Sequence, residues 1–159
     1  MKFWQSLALT EMDELITLSK IAEEVGFAGI TISDHLVTPK VLHTRYPYTE
    51  DGRPMWESDD PFPDPWVMIA AMAQETTRIR FMPFVYVLPM RDPFSVAKLL
   101  SSTSVLSGER VVFGAGTGWM EEEFAFVERD FRKRGRRADE MFEVIAKLLS
   151  GKTVDHDGE

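Results

Sequence analysis

Val25-Gly26-Phe27-Ala28-Gly29-Ile30-Thr31-Ile32-Ser33-Asp34-His35 decides the fold. Gly26 can close a helix in the left-handed conformation, and an apolar, β-branched run then ends on an acid and a histidine. Upstream, Leu15, Leu18, Ala22 and Val25 recur at helical spacing along one face. Thr10 is the expected N-cap there, with Asp13 three residues on in a capping-box position. A helix, a tight stop and a short buried strand are half of a β-α-β unit.

The same alternation runs through the rest of the chain. Strand-like runs fall at residues 2–8, 28–33, 79–87 and 110–115, each followed by a helical stretch. The second and third helices open on Asp64-Pro65 and Asp92-Pro93: Asp caps free amides, and Pro fills the first helical position, where no donor is needed. The third stops near Gly108. The fourth runs to about Ser150, with Met141, Val144, Ile145 and Leu148 facing inward and Gly151 after it. Right-handed crossovers make such a sheet parallel. The order fits an open doubly wound sheet or part of a (β/α)8 barrel.

Composition narrows the function classes. With 44% hydrophobic and 28% charged residues, the 159-residue chain reads as one soluble globular domain. A net charge of -8 repels phosphodiester backbones, so no nucleic-acid partner is expected. The basic cluster of Arg132, Lys133, Arg134, Arg136 and Arg137 reads as a solvated approach to a helix. With no cysteine, disulfides, thiolate catalysis and cysteine-bearing zinc sites are excluded. Thr10, Glu11 and Asp13 interrupt the N-terminal apolar stretch before a signal-peptide core forms, and no run approaches the length of a membrane span. The expected location is the cytoplasm.

Parallel α/β folds bind ligands at the carboxyl ends of their strands, which is where Asp34 and His35 fall. Histidine exchanges protons near neutral pH, and an adjacent carboxylate can hold its ring or bond a cofactor's heterocycle. The alternative is that Asp34 caps a turn and His35 fills the strand end. Residues 36–63 then form the one long loop; Pro39, Pro47, Pro54, Pro61 and Pro63 lie in it with Tyr46, Tyr48, Trp56 and Phe62, a composition suited to an ordered lid. The fourth strand leads into Gly114-Ala115-Gly116-Thr117-Gly118-Trp119. This loop lacks the third glycine of a dinucleotide fingerprint, yet can admit a flat ring or phosphate close to the backbone, or be a plain tight turn. Glu121, Glu122 and Glu123 suit the start of a short helix through its dipole, with a catalytic carboxylate as the lesser reading. His35, His43 and His156 have no ligand spacing, Asp155-His156-Asp157 reads as a solvated tail, and no metal is expected. Hydrolase and NTPase motifs are absent.

Taken in order, residues 25–35, Pro63-Asp64-Pro65-Trp66, Tyr86-Val87-Leu88-Pro89-Met90-Arg91-Asp92-Pro93 and Gly116-Thr117-Gly118-Trp119-Met120-Glu121-Glu122-Glu123-Phe124 resemble the luciferase-like monooxygenase family, and more narrowly its F420-dependent branch. The resemblance implies a (β/α)8 TIM barrel, of which this chain covers about the first four β/α units. It further implies that Asp34 bonds a deazaflavin ring, that His35 faces the substrate as acid/base, and that Gly116, Thr117 and Gly118 approach the cofactor. A bulge with a non-proline cis peptide, expected within Phe84, Val85 and Tyr86, would back the ring. The function implied is hydride transfer between coenzyme F420 and an unidentified small organic molecule. An FMN-dependent monooxygenase and a non-catalytic remnant are the alternatives.

Two positions depart from the family's sugar-phosphate-oxidising members. Trp119 stands where those carry a proton-donating Glu, and Leu36-Val37-Thr38-Pro39 stands where they carry a Trp. The family's chains are about twice as long, so residues 1–159 are expected to be an N-terminal half, truncated and inactive alone, with phosphate-tail contacts lying elsewhere. A homodimer is expected of the complete form, through helices two and three, with Ala70, Ala71 and Ala73 allowing close approach and Met68 and Met72 supplying adaptable contacts.

Overall fold

The computed structural model describes residues 1–158. In chain order its elements are β1 (Trp4–Ser6), α1 (Leu15–Glu24), β2 (Gly29–Ile32), α2 (Pro65–Gln74), β3 (Arg80–Pro83), β4 (Tyr86–Val87), α3 (Pro93–Leu106), β5 (Ala115–Gly116), α4 (Glu121–Phe126) and α5 (Arg134–Leu149). Single 3-10 turns occur at Leu88–Met90 and Phe131–Lys133. The residues cluster into two compact units. One comprises Met1–Asp34, Pro61–Tyr86 and Lys98–Ala115; the other comprises His35–Asp60, Val87–Ala97 and Gly116–Glu159.

The first unit holds the parallel sheet β1-β2-β3, with Trp4 opposite Gly29 and Gly29 opposite Arg80. β2 is buried along its whole length, as its unbroken Gly-Ile-Thr-Ile run requires of a strand covered on both faces. Its core contains Leu7, Leu15, Ile30, Ile69, Met72, Ile79 and Phe81. Met68, Met72 and Ala73 lie in that core, and Ala70 and Ala71 are half-buried.

The helix caps follow the sequence closely in two cases and not in the third. Asp64 Oδ1 accepts from Trp66 N and Val67 N at 2.9 and 3.1 Å, and Asp92 Oδ1 accepts from Ser95 N at 2.8 Å. α1 starts only at Leu15, with Glu14 at its N-cap and no side-chain cap. Leu9 in the left-handed region and a turn from Glu11 to Glu14 fill the space where Thr10 was to begin the helix. Val25, expected inward, is exposed at the C-cap.

The third and fourth strands are shorter than their apolar runs. Residues 79–87 divide into β3 and β4 around a cis peptide between Phe84 and Val85. Pro83 has no N–H to carry the ladder onward. The fourth run pairs with β3 through a single parallel bridge, Phe81 to Val111, and Gly114 packs so close that a Cβ there would lie 2.3 Å from Pro83 O.

Two charged side chains tie the loop between α2 and β3. Glu23 accepts from Thr77 N, Arg78 N and Ile79 N at 2.6–3.0 Å. Arg110 donates to Ala73 O, Thr76 O, Thr76 Oγ1, Ile79 O and Ser107 O, taking up carbonyls that the end of α2 leaves without partners.

In the second unit Val87, Met90 and Phe124 form a smaller core with Val127 and Phe131 against it, and α5 packs on the Leu88–Met90 turn. The inward face of α5 is Ala138, Met141, Val144 and Ile145, with Leu148 half-buried. The basic cluster is only partly solvated. Arg137 donates to Pro89 O and Arg91 O, and Arg134 lies 3.9 Å over the Phe131 ring. The tail is also held, through His156 Nε2 and Glu140 Oε1 at 3.0 Å. Among the described residues, no helix is long and apolar enough to cross a membrane, and no group of His, Asp and Glu is arranged to hold a metal.

Candidate active site

The residues singled out in the sequence divide between the two units. In the first, Asp34 follows β2 and is 6% exposed. Phe84 N donates to Ile32 O at 2.7 Å, which joins the end of β2 to the turn after β3. Beyond that bond the Phe84 and Val85 side chains are exposed, whereas Tyr86 is buried, its N donating to Gly114 O at 2.9 Å and its ring 5.3 Å from that of Trp66. A buried carboxyl group and an exposed apolar pair thus stand just beyond the ends of neighbouring, hydrogen-bonded strands.

In the second unit, His35 Nδ1 lies 2.9 Å from Glu123 Oε2, and the two side chains are 8% and 2% exposed. Where Glu123 is the carboxylate its oxygen accepts, and Nδ1 is then the donor of this bond. The other oxygen, Oε1, accepts from Leu36 N at 2.6 Å and Val37 N at 3.3 Å. Glu123 therefore fixes both the imidazole and the backbone just after it. Sequence reasoning gave Glu123 to the dipole of a short helix, with a catalytic carboxylate as the lesser reading, and it does occupy the first turn of α4. Its larger role depends on a contact across 88 residues of sequence, which no local pattern reveals.

Aromatic rings surround the imidazole. The centroid of Trp56 is 5.3 Å from that of His35, and Trp119 meets His35 edge-on at 6.0 Å. Tyr46 lies 5.1 Å from Trp56 and 5.0 Å from Trp119. Residues 36–60 form no helix or strand, yet their rings pack and their backbone is tied. Trp119 brings a ring to His35 and no acid, consistent with the departure noted in the sequence.

The glycine loop is shaped by close approach. Gly118 has φ +76, and a Cβ there would sit 2.6 Å from Val87 Cγ1. Its carbonyl accepts from Arg134 Nε at 3.2 Å, so an arginine read as solvated holds this loop. Gly116 lies in β5 and Thr117 is exposed. A cavity of about 450 Å³ in this unit, lined by Phe94, Arg137, Met141, Val144 and His156 among others, includes neither His35 nor Glu123.

The parallel β/α arrangement, with an acid and a histidine after the second strand, is that of the opening units of a (β/α)8 barrel. The sequence matches the luciferase-like monooxygenase family over residues 3–159, and the chain belongs to that family. It is 38% identical over its whole length to an uncharacterised protein of Mycobacterium tuberculosis, of which it covers 55%. It is 29% identical over 151 residues to an F420-dependent glucose-6-phosphate dehydrogenase of Nocardia farcinica, covering 92% of this chain and 40% of that one.

Solved structures share the fold. The oxygenating constituent of 3,6-diketocamphane monooxygenase from Pseudomonas putida, in complex with FMN, gives a TM-score of 0.80 at 19% identity, covering 100% of this chain and 42% of that one. The F420-dependent tetrahydromethanopterin reductase of Methanopyrus kandleri gives 0.71 at 20% identity, covering 99% and 42%. The chain spans about half the length of these proteins and represents about the first four β/α units of a barrel.

Proposed function

We propose that the complete protein transfers hydride between coenzyme F420 and a small organic substrate, with His35 as the acid/base. The observation that carries this reading is the buried pair of His35 Nδ1 and Glu123 Oε2 at 2.9 Å. With Nδ1 held by Glu123, proton exchange with a substrate is assigned to Nε2, the Nδ1 proton staying in its bond while Nε2 gains and loses its own. The surrounding rings of Trp56, Trp119 and Tyr46 keep water from the imidazole.

The first unit's residues fit a flavin-like ring. Asp34 offers a carboxyl group to a heteroatom, and the exposed Phe84 and Val85 side chains offer an apolar surface to a flat face, with Tyr86 buried behind. Gly116, Thr117 and Gly118 belong to the same assignment through the family resemblance. Deazaflavin, when bound, supplies the hydride chemistry; the protein binds and orients. The relative named for F420 that aligns along 92% of this chain favours that cofactor. FMN is the second reading, favoured by the FMN-bound monooxygenase of higher TM-score.

Equilibrium titration of the complete protein with F420 and FMN tests the assignment. Tighter binding of F420, weakened at least tenfold in Asp34→Ala, is expected; equal or preferential FMN binding would overturn the F420 choice. His35→Ala should slow single-turnover hydride transfer far more than it weakens cofactor binding, and an unchanged rate would remove His35 from the chemistry.

A further inference from the structure

One turn of α4 holds more than His35. While Glu123 takes Leu36 N and Val37 N, its neighbour Glu122 uses Oε1 to accept from His43 N at 2.7 Å and Thr44 N at 2.9 Å. Thr44 Oγ1 accepts in return from Glu121 N at 3.3 Å. The segment pinned in this way is closed on itself. Tyr46 N donates to Gly52 O, Arg45 Nη2 to Glu50 O, Thr49 Oγ1 to Arg53 O and Arg53 N to Asp51 Oδ1, all within 3.1 Å. Such a loop is compact and held together by its own hydrogen bonds. Its outer attachments are aromatic: Tyr46 on Trp119, and Trp56 on both Trp119 and His35.

On the function proposed above, we infer that Glu122 is a positioning residue: it seats the flap of residues 43–56 so that Trp56 covers the His35 ring, and it thereby governs access of an organic molecule to that ring. Two backbone donors converge on one carboxylate oxygen, so removing the carboxylate frees the base of the flap while the His35–Glu123 bond is untouched. Seated, the flap leaves the His35 side chain 8% exposed, so an organic molecule reaches it by lifting Trp56. The assignment separates neighbouring carboxylates into two tasks, Glu123 for the imidazole and Glu122 for its cover.

The probe is diethyl pyrocarbonate, which modifies accessible imidazoles, with site-resolved mass spectrometry on the full chain at fixed pH and His156 as internal reference. Losing even one net hydrogen bond shifts an equilibrium by up to about tenfold. Glu122→Ala should therefore raise His35 modification about tenfold relative to His156 and increase acrylamide quenching of tryptophan. Glu122→Gln keeps an acceptor oxygen and should stay within about twofold of the parent chain. The imidazole ¹⁵N pattern of His35 should be unchanged in Glu122→Ala. Thr44→Val, which removes the return bond and the Thr44 hydroxyl's own hydrogen bond to Glu122 but leaves both backbone donors in place, should give an intermediate rise and carries the test if Glu122→Ala fails to fold. Unchanged His35 modification in both Glu122→Ala and Thr44→Val, an equal rise in Glu122→Gln, or a changed ¹⁵N pattern in Glu122→Ala would each overturn the assignment. None of these measurements needs cofactor or turnover, so their failure leaves the hydride-transfer reading standing, and failure of cofactor binding leaves the flap assignment standing.

Discussion

At the scale of the residue, Glu123 concentrates the most consequence in one side chain. It is 1% exposed, yet meets three donors: Leu36 N, Val37 N and His35 Nδ1. A buried donor left without a partner costs about 1–3 kcal/mol, so Glu123→Ala should lower unfolding free energy by roughly 2–4 kcal/mol in denaturant titration. Glu123→Gln keeps acceptor capacity for the backbone and should lose far less stability while still misorienting His35, separating the two roles. Gly118→Ala carries a different cost, because φ +76 and the 2.6 Å approach to Val87 Cγ1 both exclude a side chain. A loss of at least about 1 kcal/mol is expected by thermal melting; no loss would mean the loop rearranges freely. That Asp34 and His35 follow a buried strand was legible in sequence because they end an apolar run. The partners of Glu123, Trp56 and Arg134 were not, because packing between segments far apart in the chain sets them.

At the scale of the element, the capping residues show when local chemistry decides structure. Asp64 and Asp92 precede a proline and hold amides of the next turn, so each substitution to Ala should cost about 1 kcal/mol. Thr10→Ala should cost under about 0.5 kcal/mol, since α1 begins five residues later. Thr10 and Asp13 had the right spacing for a cap, but the left-handed turn at Leu9 redirects the chain before a helix can start. Glu23 ties the loop ahead of β3 and adds a pH dependence. Partial burial raises its pKa, but the amides of Ile79, Arg78 and Thr77 and the Thr77 hydroxyl outweigh this and lower it from 4.5 to about 2. The stability it contributes is full above 4.5 and is lost as pH falls toward about 2. Glu23→Gln should flatten that part of the acid-unfolding curve, read by circular dichroism; an unchanged acid limb would place the dependence elsewhere.

At the scale of the whole molecule, two effects oppose each other. Phe84, Phe94, Val67, Val105, Leu106 and Phe126 are each at least 58% exposed, so the chain presents large apolar side chains along several elements. Apolar surface of that kind favours association. A net charge of -8 resists it, because copies of an acidic chain repel one another. Charge repulsion is screened within about 8–10 Å at 0.1–0.15 M salt, whereas the apolar attraction is not weakened by screening. Ionic strength therefore selects between the two. Residues 1–159 alone should sediment as monomer at low salt and shift toward larger species as sodium chloride rises to about 0.5 M. Joining this chain to the C-terminal portion of the M. tuberculosis relative, of which it covers 55%, should suppress that shift if the added units cover the same side chains. Sedimentation velocity on both forms at two concentrations separates the outcomes: monomer under all conditions would show that the exposed side chains are too scattered to act together. Equal association in the joined form would show that the second half does not cover them.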